Sequence, residues 1–477
     1  MAGKVLFLLV LFSSIAVSWF VVHGQQYIFF ASEINKYIVV CFFISCMFFF
    51  KRSYNPYAVI VFFIFLPLSI STPIATLFYP SGYDFLYSSG ANTIQAQEAI
   101  ILLSVFYLFF QKKIKLQRSL IVDIVFFIIF IYYITFLSFF STNFSIAICL
   151  SFTFIKILIY YVIFVNLLKY GLEQCLNAFI LSIVFLILIE FSVSIMQQSG
   201  IQTFTYLTNQ EFEFVAGAAN RVSGTIGRTN LHKLFTICLP FLLAYSFGQP
   251  KSLKKIFLLI SFLLGMSIVG LTRNRGPVIA LFLGNIYVLY KSYSYRIIVF
   301  NLKHISILLI AVFAITYSFA AGSADVLELI YRESYRSRID QALFILQDLK
   351  DNFYYLIFGF SPGSFKINFN TIDAVNFSYF TTAKNTFSMH NQYILFLYEI
   401  GICGLVLFLL WIYEIFKKLT TLAEDNKFSL ILKIGIAGSL ISFLISGLFR
   451  PLFANISLPF IALYLALIYH VKIKIYE

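Results

Sequence analysis

The chain has 477 residues, 61% hydrophobic and only 11% charged, with a formal net charge of +14. Soluble domains are about a quarter charged, so this composition excludes an ordinary water-soluble globule, and its many apolar residues exclude a disordered chain. The basic balance alone would admit a nucleic-acid binder, but its placement along the chain removes the need for one.

Apolar runs long enough to cross a bilayer, about 17–25 residues, recur along the whole chain. In order they cover 4–23, 36–50, 56–79, 97–111, 119–139, 145–166, 176–197, 231–247, 255–271, 277–290, 296–319, 389–416, 429–448 and 451–470. A bilayer core offers the backbone no water, so spanning segments are helices or a closed barrel. The runs are continuous rather than alternating, which excludes the barrel. The expected fold is all-α: a polytopic integral membrane protein with about 12–14 transmembrane helices. Lys4 before the first run resembles a signal-peptide start, but no clear small-x-small site follows, so the run is read as a span. Two regions are expected: an N-terminal transmembrane bundle over 1–197, and a second transmembrane region over 198–477 with long loops at 198–230 and 320–388.

Loop charge sets the orientation, because positive segments resist translocation. With the N-terminus inside, the inside loops hold Lys51 and Arg52, Lys112, Lys113, Lys115 and Arg118, Lys169, then Lys251, Lys254 and Lys255. They continue with Lys291 and Arg296, then Lys417, Lys418 and Lys427, and the tail adds Lys472 and Lys474. The outside segments 80–96 and 140–144 contain no Lys or Arg. Most of the +14 is therefore topology, and both termini are expected in the cytoplasm of a multi-pass protein. No nucleic-acid partner is implied.

Cys41, Cys46, Cys149, Cys175, Cys238 and Cys403 lie mostly in apolar spans at no metal-like spacing and are read as packing residues. The chain has no phosphate loop, dinucleotide fingerprint or nucleophile elbow. No metal and no cofactor are expected.

Against the charge rule, Arg221, Arg228, Arg273, Arg275, Arg332, Arg336 and Arg338 fall in segments that this count places outside. An anionic ligand is the commonest reason to keep arginines there, since the guanidinium fork meets phosphate oxygens bidentately. Headgroup contact is the other reading. In the second long loop, Ser337-Arg338-Ile339-Asp340 resembles a capping box. Behind it Ile339, Ala342, Leu343, Leu346, Leu349 and Phe353 keep helical spacing, predicting an amphipathic helix at the outer interface. Gly359-Phe360-Ser361-Pro362-Gly363 predicts a turn that either offers N–H groups to an anion or only ends a helix. Asp340, Asp348, Asp351 and Asp373 are read as solvated loop charges. Glu190 and Glu399 are ionisable groups at membrane depth, expected to face a polar interior. Glu399 is expected to pair with a neighbour in the bundle. His232, His304 and His470 are assigned no catalytic part. His390 opens a long apolar run, where it either caps that helix with Asn391 or moves a proton near physiological pH.

Three pieces of 200–415 together resemble the bacterial O-antigen ligase and O-antigen polymerase superfamily. They are Asn220-Arg221-Val222-Ser223-Gly224-Thr225-Ile226-Gly227-Arg228-Thr229-Asn230, then Thr272-Arg273-Asn274-Arg275-Gly276-Pro277, then the stretch from the interfacial helix to Met389-His390-Asn391-Gln392-Tyr393. Where the family more often shows Asn-Pro, this chain has Arg228-Thr229-Asn230. The resemblance implies an enzyme of the bacterial inner membrane, working at its periplasmic face on a glycan carried by undecaprenyl diphosphate. Ligases pass the glycan to lipid A-core; polymerases pass it to another lipid-linked repeat. Departure of a diphosphate needs its developing charge stabilised, by a metal or by cations. On this reading Arg221 and Arg275, then Arg273 and Arg228, with Arg338, bind the donor, and His390 acts on the acceptor hydroxyl. The ligase is preferred over the polymerase. A transporter of polysaccharide or anionic solute is the rival from another class.

Overall fold

The computed structural model describes residues 55–65, 73–76, 93–111, 124–141, 144–198, 222, 228–250, 252–272, 274–297, 341–365, 368, 391–422, 426–449, 452–453 and 457–476. These are helical but for turns and one small strand pair. In chain order they form α1 (Pro56–Phe65), β1 (Pro73–Thr76), β2 (Thr93–Gln95), α2 (Ala96–Phe110), α3 (Val125–Ser138), α4 (Phe144–Leu168) and α5 (Leu172–Gln198). The second part holds α6 (Arg228–Gly248), α7 (Leu253–Leu271) and α8 (Arg275–Ser294), a helix α9 over 341–351, and α10 (Phe353–Phe358). It closes with α11 (Gln392–Thr420), α12 (Lys427–Ser446) and α13 (Leu458–Tyr476). Six of the described helices, α4, α5, α6, α7, α11 and α12, contain segments long and apolar enough to cross a membrane.

The structure corrects the run 56–79, which is not one continuous helix. Helix α1 is described to Phe65, and Pro73–Thr76 pairs antiparallel with Thr93–Gln95. Pro67 and Pro73 lack the N–H that an α-ladder needs and push the residues before them towards extended conformations. The run 451–470 also starts later than expected, since Leu452 and Phe453 are not helical and α13 begins at Leu458. The runs 4–23 and 36–50, and 296–319 beyond Ile297, lie outside the described residues.

One aromatic-rich core joins helices from both sides of position 197. Phe65 of α1 packs on Phe164 of α4 at 5.7 Å, Phe179 of α5 at 4.7 Å and Phe460 of α13 at 4.9 Å. Phe127 of α3 stacks on Trp411 of α11 at 4.3 Å. At the centre α8 and α12 approach through small residues: a Cβ on Gly284 would lie 2.7 Å from both the Gly438 carbonyl oxygen and the Ser442 Cβ. Such contacts let membrane helices gain dispersion energy where lipid offers no hydrophobic drive. Pro240 interrupts the ladder of α6, and Tyr464 of α13 donates from its hydroxyl to the neighbouring Ile237 carbonyl at 2.7 Å.

Helix ends sort into two sets. At one end Asn177, near the start of α5, accepts from Tyr245 near the end of α6 at 2.7 Å and from Lys254 at the start of α7 at 3.2 Å. Lys291, Lys417, Lys418 and Lys427 occupy the matching ends of α8, α11 and α12. At the opposite end Val222 donates its N–H to Leu271, the last residue of α7, at 3.3 Å. Gln392 N–H donates to Gly447, just past α12, at 2.8 Å. Helices α6, α8 and α11 therefore all begin at this second end, where Arg228 and Arg275 are the first residues of α6 and α8.

Candidate functional site

The second end is built from three helix starts. The first helical residues leave N–H groups without ladder acceptors, and the helix dipole adds partial positive charge there. Helix α11 satisfies its own start: the Asn391 side chain accepts from Tyr393 N–H at 2.9 Å and Ile394 N–H at 3.2 Å. Asn391 thus caps this helix, as expected of it, while His390 lies outside the described residues. Helix α8 differs. Its N-cap residue Asn274 makes no side-chain cap, and the Asn274 Nδ2 is buried without a hydrogen-bond partner. Arg275 follows, partly buried, then Gly276 and Pro277. An amide donor without a partner and a guanidinium are thus carried by successive residues at one helix start.

A turn after α12 wedges these starts together. A Cβ on Gly276 would lie 2.5 Å from the Phe449 ring, so only glycine admits this approach. Two residues back along the chain, Gly447 accepts from Gln392, and the Gln392 Oε1 accepts from Leu452 N–H at 2.8 Å. The Tyr393 hydroxyl donates to the Leu444 carbonyl at 2.7 Å. The start of α8 and the start of α11 thus share one support. Of the expected site residues, only Arg275 has a described side chain; Arg228 is placed by its backbone as the first residue of α6. Arg221, Arg273, Arg338 and His390 lie outside the described residues. Val222, Asn274 and Asn391, the chain neighbours of Arg221, Arg273 and His390, are at this end. Among the described residues no group of His, Cys, Asp and Glu comes together as a metal-ligand set would.

Next to this end lies a second, smaller core made by α9, the turn after α10, and the first part of α11: Ile345, Leu349, Phe365 and Tyr398. The buried face of α9 is Gln341, Ile345 and Leu349, whereas Leu343, Leu346 and then Phe353 leave an apolar outer face, exposed at 55%, 61% and 68%. One expectation is corrected. Asp348 is not a solvated charge: it accepts from the Tyr398 hydroxyl at 2.6 Å, and that hydroxyl in turn accepts from Asn368 Nδ2 at 2.8 Å. Of the two readings of the glycine turn the helix-ending one holds, since Gly359 caps the end of α10 and its N–H donates to the Tyr355 carbonyl. Phe360 N–H donates to the Tyr398 carbonyl at 3.0 Å, and Ser361 N–H to the Glu399 carbonyl at 2.8 Å.

Those carbonyls need donors because α11 breaks at Gly401 (φ 65°, ψ −174°). A third replacement comes from α3, whose Tyr133 hydroxyl shares its one hydrogen between the Ile400 carbonyl at 3.2 Å and the Phe358 carbonyl at 3.1 Å. Gly359 and Gly401 make the close approach possible, since a Cβ on Gly401 would lie 2.6 Å from the Gly359 nitrogen. Reading from the sequence missed this assembly. Its one local signal is a glycine inside the apolar run Leu397-Tyr398-Glu399-Ile400-Gly401-Ile402.

Compared with known proteins, the chain matches no family model and no curated protein.

Proposed function

We propose that this chain is a membrane glycosyltransferase that moves a glycan en bloc from undecaprenyl diphosphate to an acceptor at the periplasmic face of the bacterial inner membrane. The acceptor is lipid A-core, which makes it an O-antigen ligase. The finer architecture belongs to the same reading: about 12–14 spans, cytoplasmic termini, the lysine-rich end inside, and α9 within a large periplasmic loop.

The observation that carries it is the start of α8, where Asn274, with its Nδ2 buried and without a partner, is followed by Arg275 at the end that also holds the starts of α6 and α11. Fixed donors of this kind stabilise the charge that develops on a departing diphosphate. In this reading Arg275 and Arg221 clamp the diphosphate, Arg273, Arg228 and Arg338 support them, and His390 takes the proton of the acceptor hydroxyl. No metal or other cofactor takes part. The partners are the lipid-linked donor, its acceptor and the surrounding lipids.

With purified protein and lipid-linked donor, Arg275→Ala should lower release of undecaprenyl diphosphate by roughly 100-fold or more, while the protein still inserts and melts normally. Near-normal release sinks the role. The polymerase alternative shares this donor chemistry, and a deletion strain separates the two. Loss of all lipopolysaccharide-linked glycan identifies the ligase; a single attached repeat identifies the polymerase. The transporter reading is disfavoured because the arginine-bearing starts of α6 and α8 lie together at one end of the bundle, whereas transporters hold their cargo near the midplane.

A further inference from the structure

Near the lysine-rich end, α4, α11 and α13 leave a cavity of about 20 Å³, lined in part by Ile124, Trp411, Glu414, Lys418 and Leu465. Trp411, Glu414 and Lys418 share one face of α11 at i, i+3 and i+7 spacing. The Trp411 indole is 2% exposed and its Nε1–H has no hydrogen-bond partner. It cannot swing away to find one, because Phe127 stacks on it at 4.3 Å and Phe408 meets it edge-on at 5.9 Å. The Glu414 Oε2 lies 3.7 Å from Lys418 Nζ, an ion pair too long for a hydrogen bond.

We propose that this cavity is a built site for one water, which accepts from Trp411 Nε1–H and donates to Glu414 Oε2. Size selects the ligand, since one water needs roughly 10–15 Å³ and two to four polar partners. A lipid headgroup is too large. A cation is disfavoured by the ammonium of Lys418 and by the indole N–H, which point positive charge at the same space. The water completes the polar groups of α11 in the gap it leaves against α4 and α13, away from the arginine end and independent of any transferase activity.

Radiolytic hydroxyl-radical footprinting of the full-length protein in detergent tests this. A bound water is split in place, so Trp411 should be oxidised although it is only 2% exposed. Glu414→Leu should lower Trp411 oxidation roughly fivefold by removing one of the water's few partners, whereas Glu414→Gln, which keeps an acceptor oxygen, should preserve it. Misfolding of the leucine variant would raise Trp411 labelling, so it cannot imitate the expected loss. An unoxidised Trp411 in the unaltered protein overturns the site. So does unchanged oxidation in Glu414→Leu.

Discussion

The two parts of α11 live in different solvents although the sequence runs apolar through both. From Gln392 to Ile400 no residue is exposed: the segment is enclosed by α9, the glycine turn and the turn after α12. Beyond Gly401, Ile402, Val406, Leu409, Leu410 and Tyr413 are exposed along one stripe, at 38–63%. An exposed stripe of that kind is untenable in water and natural against lipid tails. The enclosed part must satisfy polar groups with protein donors, and it does so through the N–H groups of Phe360 and Ser361, the Tyr133 hydroxyl and the Asp348–Tyr398–Asn368 chain. The lipid-facing part keeps its backbone bonds within the helix and its outer side chains make no specific pairing. One helix is thus fastened at its first third and greased along the rest. The contrast predicts that substitutions matter by position relative to Gly401 more than by hydrophobicity.

The strongest way to break the comparison is Gly401→Ala. Its backbone lies in a region that is essentially glycine-only, costing any other residue about 1–3 kcal/mol. The added Cβ also meets Ile357 and Gly359 backbone atoms, which cannot rotate aside. The expected loss is about 3 kcal/mol or more, read as a lower melting temperature in detergent with faster amide exchange at Phe360 and Ser361. Unchanged exchange at those two amides would mean the turn does not depend on the break. A milder probe is Tyr398→Phe, which strips Asp348 and Asn368 of their shared hydroxyl. Leaving buried polar groups short of a partner costs about 1–3 kcal/mol. Asp348→Asn should cost less, because its amide oxygen still accepts from Tyr398. If Asp348→Asn proved the more damaging of the two, the carboxyl charge rather than the hydrogen bond would be what holds α9.

Much of this architecture is legible in the sequence, for a physical reason. A bilayer demands long apolar runs, so α4, α5, α6, α7, α11 and α12 announce themselves, and alternating basic loops match the two sets of helix ends. Arg228 and Arg275 drew notice because they break the charge rule, and the structure places them as the first residues of α6 and α8. At α9 the spacing grouped Leu343, Leu346 and Leu349 as one apolar face, which the structure divides between a buried Leu349 and an exposed Leu343 and Leu346. Leu343 and Leu346 point outward and Gln341 inward, because beside a membrane an outer face can be apolar as well. The Asp348–Tyr398–Asn368 chain was invisible, as its partners are 50 and 30 residues apart and no local pattern links them. Asn274 was read only as a neighbour of arginines, since an uncapped N-cap residue is a property of the folded helix start and not of its composition.

The smallest expected effect sharpens the contrast most. Val406 sits in the lipid-facing stripe at 46% exposure, whereas Phe396, ten residues earlier on the same helix, is 5% exposed among Phe130, Phe154 and Phe453. Phe396→Ala opens a cavity in that ring cluster and should cost about 3–5 kcal/mol. Val406→Ala exchanges side-chain contact for lipid or detergent contact of the same apolar kind, so its effect should stay within about 0.5 kcal/mol. Thermal unfolding of both variants under one detergent condition gives the ratio directly. A loss for Val406→Ala approaching that of Phe396→Ala would mean that protein, not lipid, covers the stripe, which makes that face of α11 an interface with another chain.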